Sequence, residues 1–361
     1  MKKIRVIISG GGTAGHIFPA LSIADELSLQ KNKYEILFIG AKNRMEMKKV
    51  ATAGYNIKGL WIDGFQRNIS LRNLIFPIKL FFSLFHSLFI LIKFNPSYVV
   101  GTGGFVSGPV VFMAAILGIP TLIHEQNSFP GITNRILGKV VSNVCVSYKN
   151  MTQFFPKNKV IKTGNPVRKL LKINTNKNNA LDYFGFEKNK ITILIVGGSL
   201  GAEPINNFVK KELNFFSKFQ VIWQTGKKNH NYFLNSCTNY KNIIVCDFID
   251  KMNLAYSAAD LVISRAGAIA ISEICFLQKC SILIPSPHVS ENHQYKNAMS
   301  LKKNGACLII EEKNIEKELV FKIKNLLSNN KNRIKISEKA KKLSINNSSY
   351  KIVQIINRNV K

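Results

Sequence analysis

The chain repeats one local pattern along most of its length: a short apolar run, a turn that often contains glycine, and a stretch of helical character. In the first half the apolar runs are residues 4–8, 36–39, 98–100, 121–123 and 144–146. In the second half they are residues 191–196, 220–224, 243–245, 261–263 and 281–284. Continuous apolar strands that alternate with helices are typical of parallel sheets covered on both faces. The two series therefore predict two successive doubly wound α/β domains.

The length of 361 residues agrees with two domains, since one domain usually has about 100–200 residues. A polar segment, 172–179, precedes the second series of apolar runs. We place the boundary just before it, near residues 163–166, which gives domains at 1–164 and 165–345. The last helix-like stretch, 334–360, is predicted to be long.

The chain is strongly basic, with 51 Lys and Arg against 20 Asp and Glu and a formal charge of +31. Such an excess predicts a polyanionic partner: nucleic acid, an anionic membrane or a phosphorylated substrate. Lys and Asn also crowd the predicted loops and ends, for example at 174–179 and 325–342, as in genomes biased toward their codons. Both explanations remain open, so charge alone assigns no function.

The cysteines do not form a metal-binding pattern. None of the six belongs to a CxxC pair, and no Cys/His cluster has zinc-site spacing. We therefore expect no metal centre, and thiols that stay reduced in a cytoplasm. Met1, Lys2 and Lys3 lead directly into the first apolar run, so we expect no signal peptide.

Three turns that contain glycine follow apolar runs and precede helix-like stretches: 10–16 (GGGTAGH), 197–202 (GGSLGA) and 264–268 (SRAGA). Glycine allows close backbone approach, and the N–H groups at a helix start favour phosphate. We expect the helix after the first turn to begin near Pro19 and the helix after the third to span 269–276. Glycine is also common in turns that follow strands and have no ligand, so no single turn identifies a nucleotide site. No acidic residue ends the run 36–39 and no Walker lysine follows, which disfavours a dehydrogenase and a P-loop ATPase.

Seven motifs occur in order over most of the chain: GGTAGHIFPAL at 11–21, GTGGFVSGP at 101–109, HEQN at 124–127, GNPVR at 164–168, GGSLGA at 197–202, SRAGAIAISE at 264–273 and HQYKNA at 293–298. Together they resemble the MurG family, the UDP-N-acetylglucosamine transferases of peptidoglycan synthesis. The resemblance implies a GT-B fold, in which two Rossmann-like domains face each other across a cleft. The N-terminal domain would bind acceptor and membrane, the C-terminal domain would bind the donor, and a helix at about 346–361 would cross back.

The resemblance also implies the reaction and its location. N-acetylglucosamine would pass from UDP-GlcNAc to the MurNAc of lipid I with inversion, giving lipid II and UDP, at the cytoplasmic face of the cell inner membrane. The implied partners are UDP-GlcNAc, lipid I, the anionic membrane surface and other proteins of cell-wall synthesis. No cofactor is implied, and the sequence has no D-x-D motif for a metal-bound diphosphate.

Inversion needs a base for the acceptor hydroxyl and groups that stabilise the departing UDP. His16 is the candidate base, because an imidazole with a pKa of about 6.5 can accept a proton at cellular pH. Two alternatives remain open: His16 supports the helix start, or it binds acceptor phosphate. Asp and Glu also remain candidates for the base, since a pocket can raise their pKa.

The family pattern implies particular donor contacts. Glu273 matches a glutamate that holds the ribose hydroxyls, and the Ile249 backbone matches the position that reads uracil. Arg168 matches a donor-site arginine, with a linker salt bridge as its alternative. The full UDP-GlcNAc site is expected to comprise Thr13, Ala14, Gly15, Asn127, Arg168, Ser199, Ile249, Ala268, Ile269, Ala270, Ile271, Ser272, Glu273 and Gln294.

Three positions depart from the family pattern. Ala14 replaces a common glycine, and Ala270 stands where a threonine often supplies a hydroxyl, so only backbone contact would survive there. His293 stands where the first of two glutamines is common, which puts contacts to the donor sugar in doubt.

The segment Leu74–Phe94 is long enough to raise the question of a membrane span, since about 20 apolar residues cross a bilayer. Pro77, Lys79, His86 and Lys93 interrupt it, so we expect either a buried covering helix or an apolar face on the membrane surface. In the second case four cations would ring the face: Arg67, Arg72, Lys79 and Lys93. The acceptor diphosphate is expected at Gly12, Gly103, Gly104 and Ser107, with Phe105 and Val106 near the lipid.

Two other functions compete with this one. A GT-B transferase for another acceptor would share the donor domain but would not need the segment Leu74–Phe94. A basic nucleic-acid-binding protein is disfavoured, because the chain has no basic stripe with interleaved aromatic residues and no known reader module. We therefore expect no nucleic acid partner.

Overall fold

The computed structural model describes residues 3–30, 32–64, 71–172, 175–198 and 200–360. It divides into two compact units, 1–168 with 345–361, and 169–344. The first division falls four residues after the predicted boundary at 164/165. Each unit contains its own parallel sheet.

Unit 1 is built on seven parallel strands in the order β3-β2-β1-β4-β5-β6-β7. They are β1 (Ile4–Gly10), β2 (Tyr34–Ala41), β3 (Asn56–Leu60), β4 (Tyr98–Gly103), β5 (Thr121–Glu125), β6 (Asn143–Val146) and β7 (Val160–Lys162). The helices before the second unit are α1 (Ala14–Ser28), α2 (Met45–Thr52), α3 (Leu71–Phe94), α4 (Ser107–Ile116) and α5 (Ile132–Leu137). The order turns back on itself at β1 and β4, as in doubly wound sheets.

Both faces of this sheet are apolar because helices cover both. Ile7 of β1 belongs to a core on one side, whereas its neighbours Val6 and Ile8 belong to a core on the other side. Successive strand side chains point to opposite faces, so burial on both sides requires an unbroken apolar run. The C-terminal helix Ser348–Asn359, which is α15 in chain order, packs against α1 in unit 1.

Unit 2 repeats the architecture with six parallel strands in the order β10-β9-β8-β11-β12-β13. They are β8 (Thr192–Val196), β9 (Gln220–Gln224), β10 (Ile243–Cys246), β11 (Leu261–Ser264), β12 (Ser281–Leu283) and β13 (Leu308–Ile309). Its helices are α6 (Lys177–Tyr183), α7 (Glu203–Lys211), α8 (Leu213–Phe216), α9 (His230–Asn235), α10 (Met252–Ala258), α11 (Ala268–Phe276), α12 (His293–Lys302), α13 (Ile315–Ser328) and α14 (Asn330–Leu343).

Two predicted helix limits were wrong. The stretch 334–360 is not one helix, because α14 ends at Leu343 and α15 begins at Ser348 after a break at which Asn347 has a φ of +59°. The first helix begins at Ala14 rather than near Pro19, which lies inside α1. His16 is therefore a first-turn helical residue with a direction set by the helix.

Candidate functional site

The first glycine turn, between β1 and α1, lies against the turn that follows β4. Gly103 and Gly104 have φ of +98° and +80°. A Cβ on Gly104 would lie 2.2 Å from the Gly11 carbonyl oxygen, and one on Gly103 would lie 2.7 Å from Nδ1 of His16. The absence of a side chain therefore allows the two turns to meet. Two residues predicted to bind the acceptor diphosphate thus also hold the turns together.

A carboxylate that we did not predict lies inside the first turn. Glu46 of α2 is fully buried, and both of its oxygens accept from the N–H of Gly12 at 3.2 Å. Oε1 also accepts from the N–H of Ala41 at 3.1 Å. The Gly12 N–H that was predicted to bind an acceptor diphosphate is therefore already bound to an anion, whose charge would oppose a second one. The start of α1, at Thr13, Ala14 and Gly15, offers the turn's other N–H groups.

This contact predicts that Glu46 stabilises unit 1. Glu46→Ala would leave the partly buried N–H of Gly12 and the buried N–H of Ala41 without this acceptor, and we expect it to lower the free energy of unfolding by about 2–4 kcal/mol. Urea unfolding followed by circular dichroism measures the change. Glu46→Gln keeps one amide oxygen as an acceptor and should lose less. Exposed Glu187→Ala is the control; an equal loss there would contradict the role of Glu46.

His16 points its Nδ1 at acceptors of unit 1. Nδ1 lies 2.9 Å from the Thr102 carbonyl oxygen and 3.2 Å from Oε1 of Gln126. The Thr102 hydroxyl also donates to the His16 carbonyl oxygen at 2.9 Å. A carbonyl oxygen can only accept, so Nδ1 carries a proton. The lone pair of a neutral His16 is then on Nε2, which is the arrangement a base requires.

Asn127 is tied to a buried carboxylate. Its backbone N–H and its Nδ2 donate to Oε1 of Glu125 at 2.9 and 3.1 Å. The other oxygen of Glu125 accepts from Nδ2 of Asn134 at 2.8 Å. Burial raises the pKa of Glu125, and these donors oppose that effect. Asn127, predicted to belong to the UDP-GlcNAc site, therefore uses part of its hydrogen-bonding capacity on Glu125.

The remaining predicted residues of unit 1 have different environments. Ser107 begins α4, and its hydroxyl donates to the Gly104 carbonyl oxygen at 2.9 Å. Val106 is fully buried in the core, so its predicted proximity to lipid was wrong, while Phe105 is half-buried over Gly12. The guanidinium of Arg168 stacks on Phe18, with Cζ 4.7 Å from the ring centroid.

The second glycine turn, after β8, packs on the end of β9. Gly198 and Gly201 have φ of +90° and +80°, and a Cβ on Gly201 would lie 2.0 Å from the Thr225 carbonyl oxygen. That oxygen also accepts from Nδ2 of Asn206 at 2.9 Å. Leu200 is exposed at the tip of the turn. Ser199, predicted to contact the donor, lies outside the described residues.

The third turn leads from β11 into α11. The helix begins at Ala268, and the backbone N–H groups of a helix's first turn point out of its end, where they can face an anion. Ser272 donates its hydroxyl to the Ala268 carbonyl oxygen at 2.8 Å. Ile269 and Ile271 are buried in unit 2, and Ala270 is half-buried. Arg265 forms an ion pair with Glu312 that braces the turn.

Glu273 lies deeper than we expected. Only 1% of the residue is exposed, and Oε2 accepts from the Tyr256 hydroxyl at 3.3 Å. Ile249 and Tyr256 belong to the same buried core. The carboxylate that is expected to bind the ribose hydroxyls is therefore already oriented by the Tyr256 hydroxyl.

Gln294 has a fixed orientation. It lies in the first turn of α12, and its Oε1 accepts from the backbone N–H of Ser286 at 2.9 Å. The amide nitrogen is therefore the end that can donate to a ligand. His293 begins the same helix.

The outer face of α3 is apolar and solvent-exposed. It comprises Leu74, Ile75, Ile78, Phe81, Phe82, Phe85, Phe89 and Ile92. The opposite face, which packs on unit 1, includes Ser83 and Ser87, and Ser83 donates to the Trp61 carbonyl oxygen at 3.1 Å. By length and composition, Leu74–Phe94 could cross a membrane. We call the eight exposed residues the outer face of α3.

Of the four cations predicted to ring this face, the structure describes the side chains of Lys79 and Lys93. Lys79 donates to Asp63 at 2.5 Å and lies over the Trp61 ring, so it is an internal partner rather than a rim charge. Lys93 is exposed. Arg67 and the side chain of Arg72 lie outside the described residues.

In the part of the chain that the structure describes, no group of three or more His, Cys, Asp and Glu side chains could hold a metal ion. The fold and the three turns thus offer helix starts and hydrogen-bonding side chains for binding charged ligands.

Comparisons with known proteins identify the family. Residues 6–146 match the glycosyltransferase family 28 N-terminal domain, and residues 192–354 match the glycosyltransferase family 28 C-terminal domain. The chain is 46% identical over 359 residues to a Flavobacterium psychrophilum protein, covering 99% of this chain and 98% of that one. It is 47% identical over 360 residues to a Christiangramia forsetii protein, covering 98% and 97%. Both are called UDP-N-acetylglucosamine--N-acetylmuramyl-(pentapeptide) pyrophosphoryl-undecaprenol N-acetylglucosamine transferase.

Solved structures agree with these relatives. The crystal structure of Acinetobacter baumannii MurG has a TM-score of 0.76 at 27% identity and covers 99% of this chain and 100% of that chain. The S. aureus MnaA structure with UDP has a TM-score of 0.69 at 15% identity, covers 99% and 96%, and shares the fold alone. The predicted GT-B class of two Rossmann-like domains is therefore confirmed. With domain matches across both units and relatives near half identity, the chain belongs to glycosyltransferase family 28, and within it to the MurG family.

Proposed function

We propose that the chain transfers N-acetylglucosamine from UDP-N-acetylglucosamine to the N-acetylmuramyl residue of lipid I, giving lipid II and UDP. The observation that carries this proposal is the 46% identity over 359 residues to a transferase named for this donor and acceptor. The product is a precursor of peptidoglycan, on which cell shape and division depend.

The chemical step is a single displacement at the anomeric carbon. A hydroxyl oxygen of the acceptor sugar forms the new C–O bond, the bond to the UDP oxygen breaks, and the configuration inverts. The hydroxyl proton goes to Nε2 of His16, and the charge that develops on UDP is met by the N–H groups at the start of α11. The orientation of His16 by Thr102 supports the first role. The helix start at Ala268 supports the second.

The decisive experiment is an assay of the purified protein with labelled UDP-N-acetylglucosamine and a lipid I analogue. We expect labelled lipid II and UDP in equal amounts. A parallel reaction with other nucleotide sugars tests the donor, and one with soluble sugar acceptors tests the acceptor. Transfer only from another donor, or only to a soluble acceptor, would contradict the proposed function.

Glu273 is proposed to hold the donor ribose with its hydrogen-bond acceptors. Glu273→Ala is expected to weaken UDP binding by about 1–3 kcal/mol, the loss of charge-assisted hydrogen bonds. Isothermal titration with UDP measures the change. Tyr256→Phe removes the partner hydroxyl but keeps the carboxylate, so it should weaken binding less. An unchanged UDP affinity in Glu273→Ala would remove Glu273 from the site.

We further propose that the protein is peripheral to the cytoplasmic face of the cell inner membrane, with the outer face of α3 in contact with lipid. Phe85 and Phe89 are more than half exposed while Ser83 and Ser87 are buried, the reverse of the usual distribution in a soluble domain. The charge of +31 adds attraction to anionic lipid, about 1 kcal/mol for each well-placed Lys or Arg. Other proteins of cell-wall synthesis are proposed as further partners.

A further inference from the structure

We propose that Gln126 is a positioning residue that directs the proton of His16 to Nδ1, at the end of a hydrogen-bond relay that begins at the Gly164 carbonyl oxygen. The inference rests on the proposed role of His16 as the base. It concerns a residue that touches His16, not the substrate.

The relay begins at His124, which is fully buried at the end of β5. Its Nε2 lies 3.0 Å from the Gly164 carbonyl oxygen. Burial lowers the pKa of His124 to about 4, so the ring is neutral and carries one proton near neutral pH. Because a carbonyl oxygen only accepts, that proton is on Nε2, and Nδ1 of His124 has the lone pair.

The lone pair of His124 fixes the orientation of the Gln126 amide. Nε2 of Gln126 lies 3.0 Å from Nδ1 of His124 and 2.7 Å from the Thr102 carbonyl oxygen. Both are acceptors, so the NH₂ group must face them. The reversed amide would bring its oxygen against two lone pairs. The oxygen of Gln126 therefore faces His16, with Oε1 3.2 Å from Nδ1.

His16 thus has two acceptor oxygens in front of Nδ1, from Thr102 and Gln126. The Thr102 carbonyl oxygen is one acceptor for the Nδ1 proton. Oε1 of Gln126, the residue that follows β5, is the second. When Nε2 takes the acceptor proton, both contacts become hydrogen bonds from a cation, which are stronger than those of the neutral ring. The relay therefore favours the protonated base as it forms.

The buried carboxylates of Glu125 and Glu46 do not orient the His16 ring. Glu125 accepts hydrogen bonds from the side chains of Asn127 and Asn134, and Glu46 accepts from the Gly12 N–H. In a Ser-His-Asp triad a carboxylate orients the imidazole. Here neutral oxygens orient it, and their own orientation depends on the buried His124.

The first test measures the wild-type protein and uses a substitution only to assign its signals. With ¹⁵N-labelled histidine and assignment through His16→Gln, the neutral His16 of the wild-type protein should show a protonated Nδ1 and an unprotonated Nε2. His124 should show a protonated Nε2 and should not titrate between pH 6 and 8, which lies above its pKa of about 4. A neutral His16 with its proton on Nε2 would overturn the proposal.

The second test uses Gln126→Met, which keeps the length of the side chain but removes both polar groups. We expect kcat to fall on the order of 10- to 100-fold, the loss of a hydrogen bond to a charged group, while KM for UDP-N-acetylglucosamine stays within about twofold. Only the Thr102 carbonyl then faces Nδ1, so the ¹⁵N signals should show a smaller share of neutral His16 with its proton on Nδ1 than in the wild-type protein. Unchanged His16 signals, or a change in KM alone, would overturn the proposal.

Gln220→Met is the matched control. Gln220 is also a buried glutamine, and it bonds the backbone of Glu187 and the hydroxyl of Thr192 in unit 2. It should lose stability without changing the His16 signals. The base role fails separately: full activity in His16→Ala would overturn that role even where the measured tautomer is as proposed.

Discussion

Replacing His16 by alanine is expected to lower kcat by about 10²–10⁴-fold, the usual contribution of a positioned general base. Nδ1 is held by Thr102, so the basic nitrogen is the one directed away from that carbonyl. If His16→Ala removes only the proton acceptor of the reaction, the variant should still bind the donor. We therefore expect UDP affinity to change by less than about twofold, and the loss to appear in kcat.

The measurement is the rate of lipid II formation at saturating donor and acceptor over a range of pH. Any change of the wild-type rate with pH that is due to the base should be absent from His16→Ala. Exposed His288→Ala serves as the control and should keep the wild-type rate. If His16→Ala instead raised the acceptor KM with little change in kcat, His16 would bind acceptor phosphate, the alternative that the sequence left open.

The strands of both sheets were largely predictable because most are buried on two faces. Each of the ten apolar runs overlaps a strand, and the run 220–224 coincides with β9. The three strands that we did not predict, β3, β7 and β13, all lie at sheet edges. β3 and β7 contain exposed residues and β13 has only two residues, so these three lack the continuous apolar run that identifies a central strand.

The predicted start of α1 near Pro19 was wrong. Proline is favoured in the first turn of a helix, but Pro19 lies beyond the first turn of α1. The helix instead begins directly after the glycine turn, five residues earlier. The consequence is functional, since it makes His16 a helical residue whose ring is directed at β4 and β5.

The turns of the site were predictable, but their partners were not. The motifs indicate where backbone N–H groups collect. They do not indicate that the Gly12 N–H donates to Glu46, which is 34 residues from it in the sequence. Nor do they indicate that Gln126, 110 residues from His16, faces its ring. Such contacts depend on which strands are neighbours. The sequence signal for Glu46 is an acidic residue in the first turn of the helix that follows β2.

Replacing Phe89 by serine is expected to weaken binding to vesicles by about 10- to 150-fold. Burying one phenylalanine side chain contributes about 1.5–3 kcal/mol, and Phe89 is 62% exposed on the outer face of α3. The helix already packs on unit 1 through its other face, where Ile90 and Leu91 are buried. The loss should therefore appear in membrane binding and not in folding. Co-sedimentation with vesicles of phosphatidylglycerol and phosphatidylethanolamine measures it.

The chain supplies a matched control in Phe321 of α13, which is 63% exposed in unit 2. Both side chains are exposed to a similar extent, but Phe321 does not belong to the outer face of α3. Phe321→Ser should therefore bind vesicles as the wild-type protein does. Phe89→Ser should also transfer sugar to a water-soluble acceptor analogue at the wild-type rate, because the outer face of α3 contacts lipid rather than the reacting atoms. If both variants lost vesicle binding equally, general hydrophobicity and charge would account for the attraction, and α3 would not be the docking face.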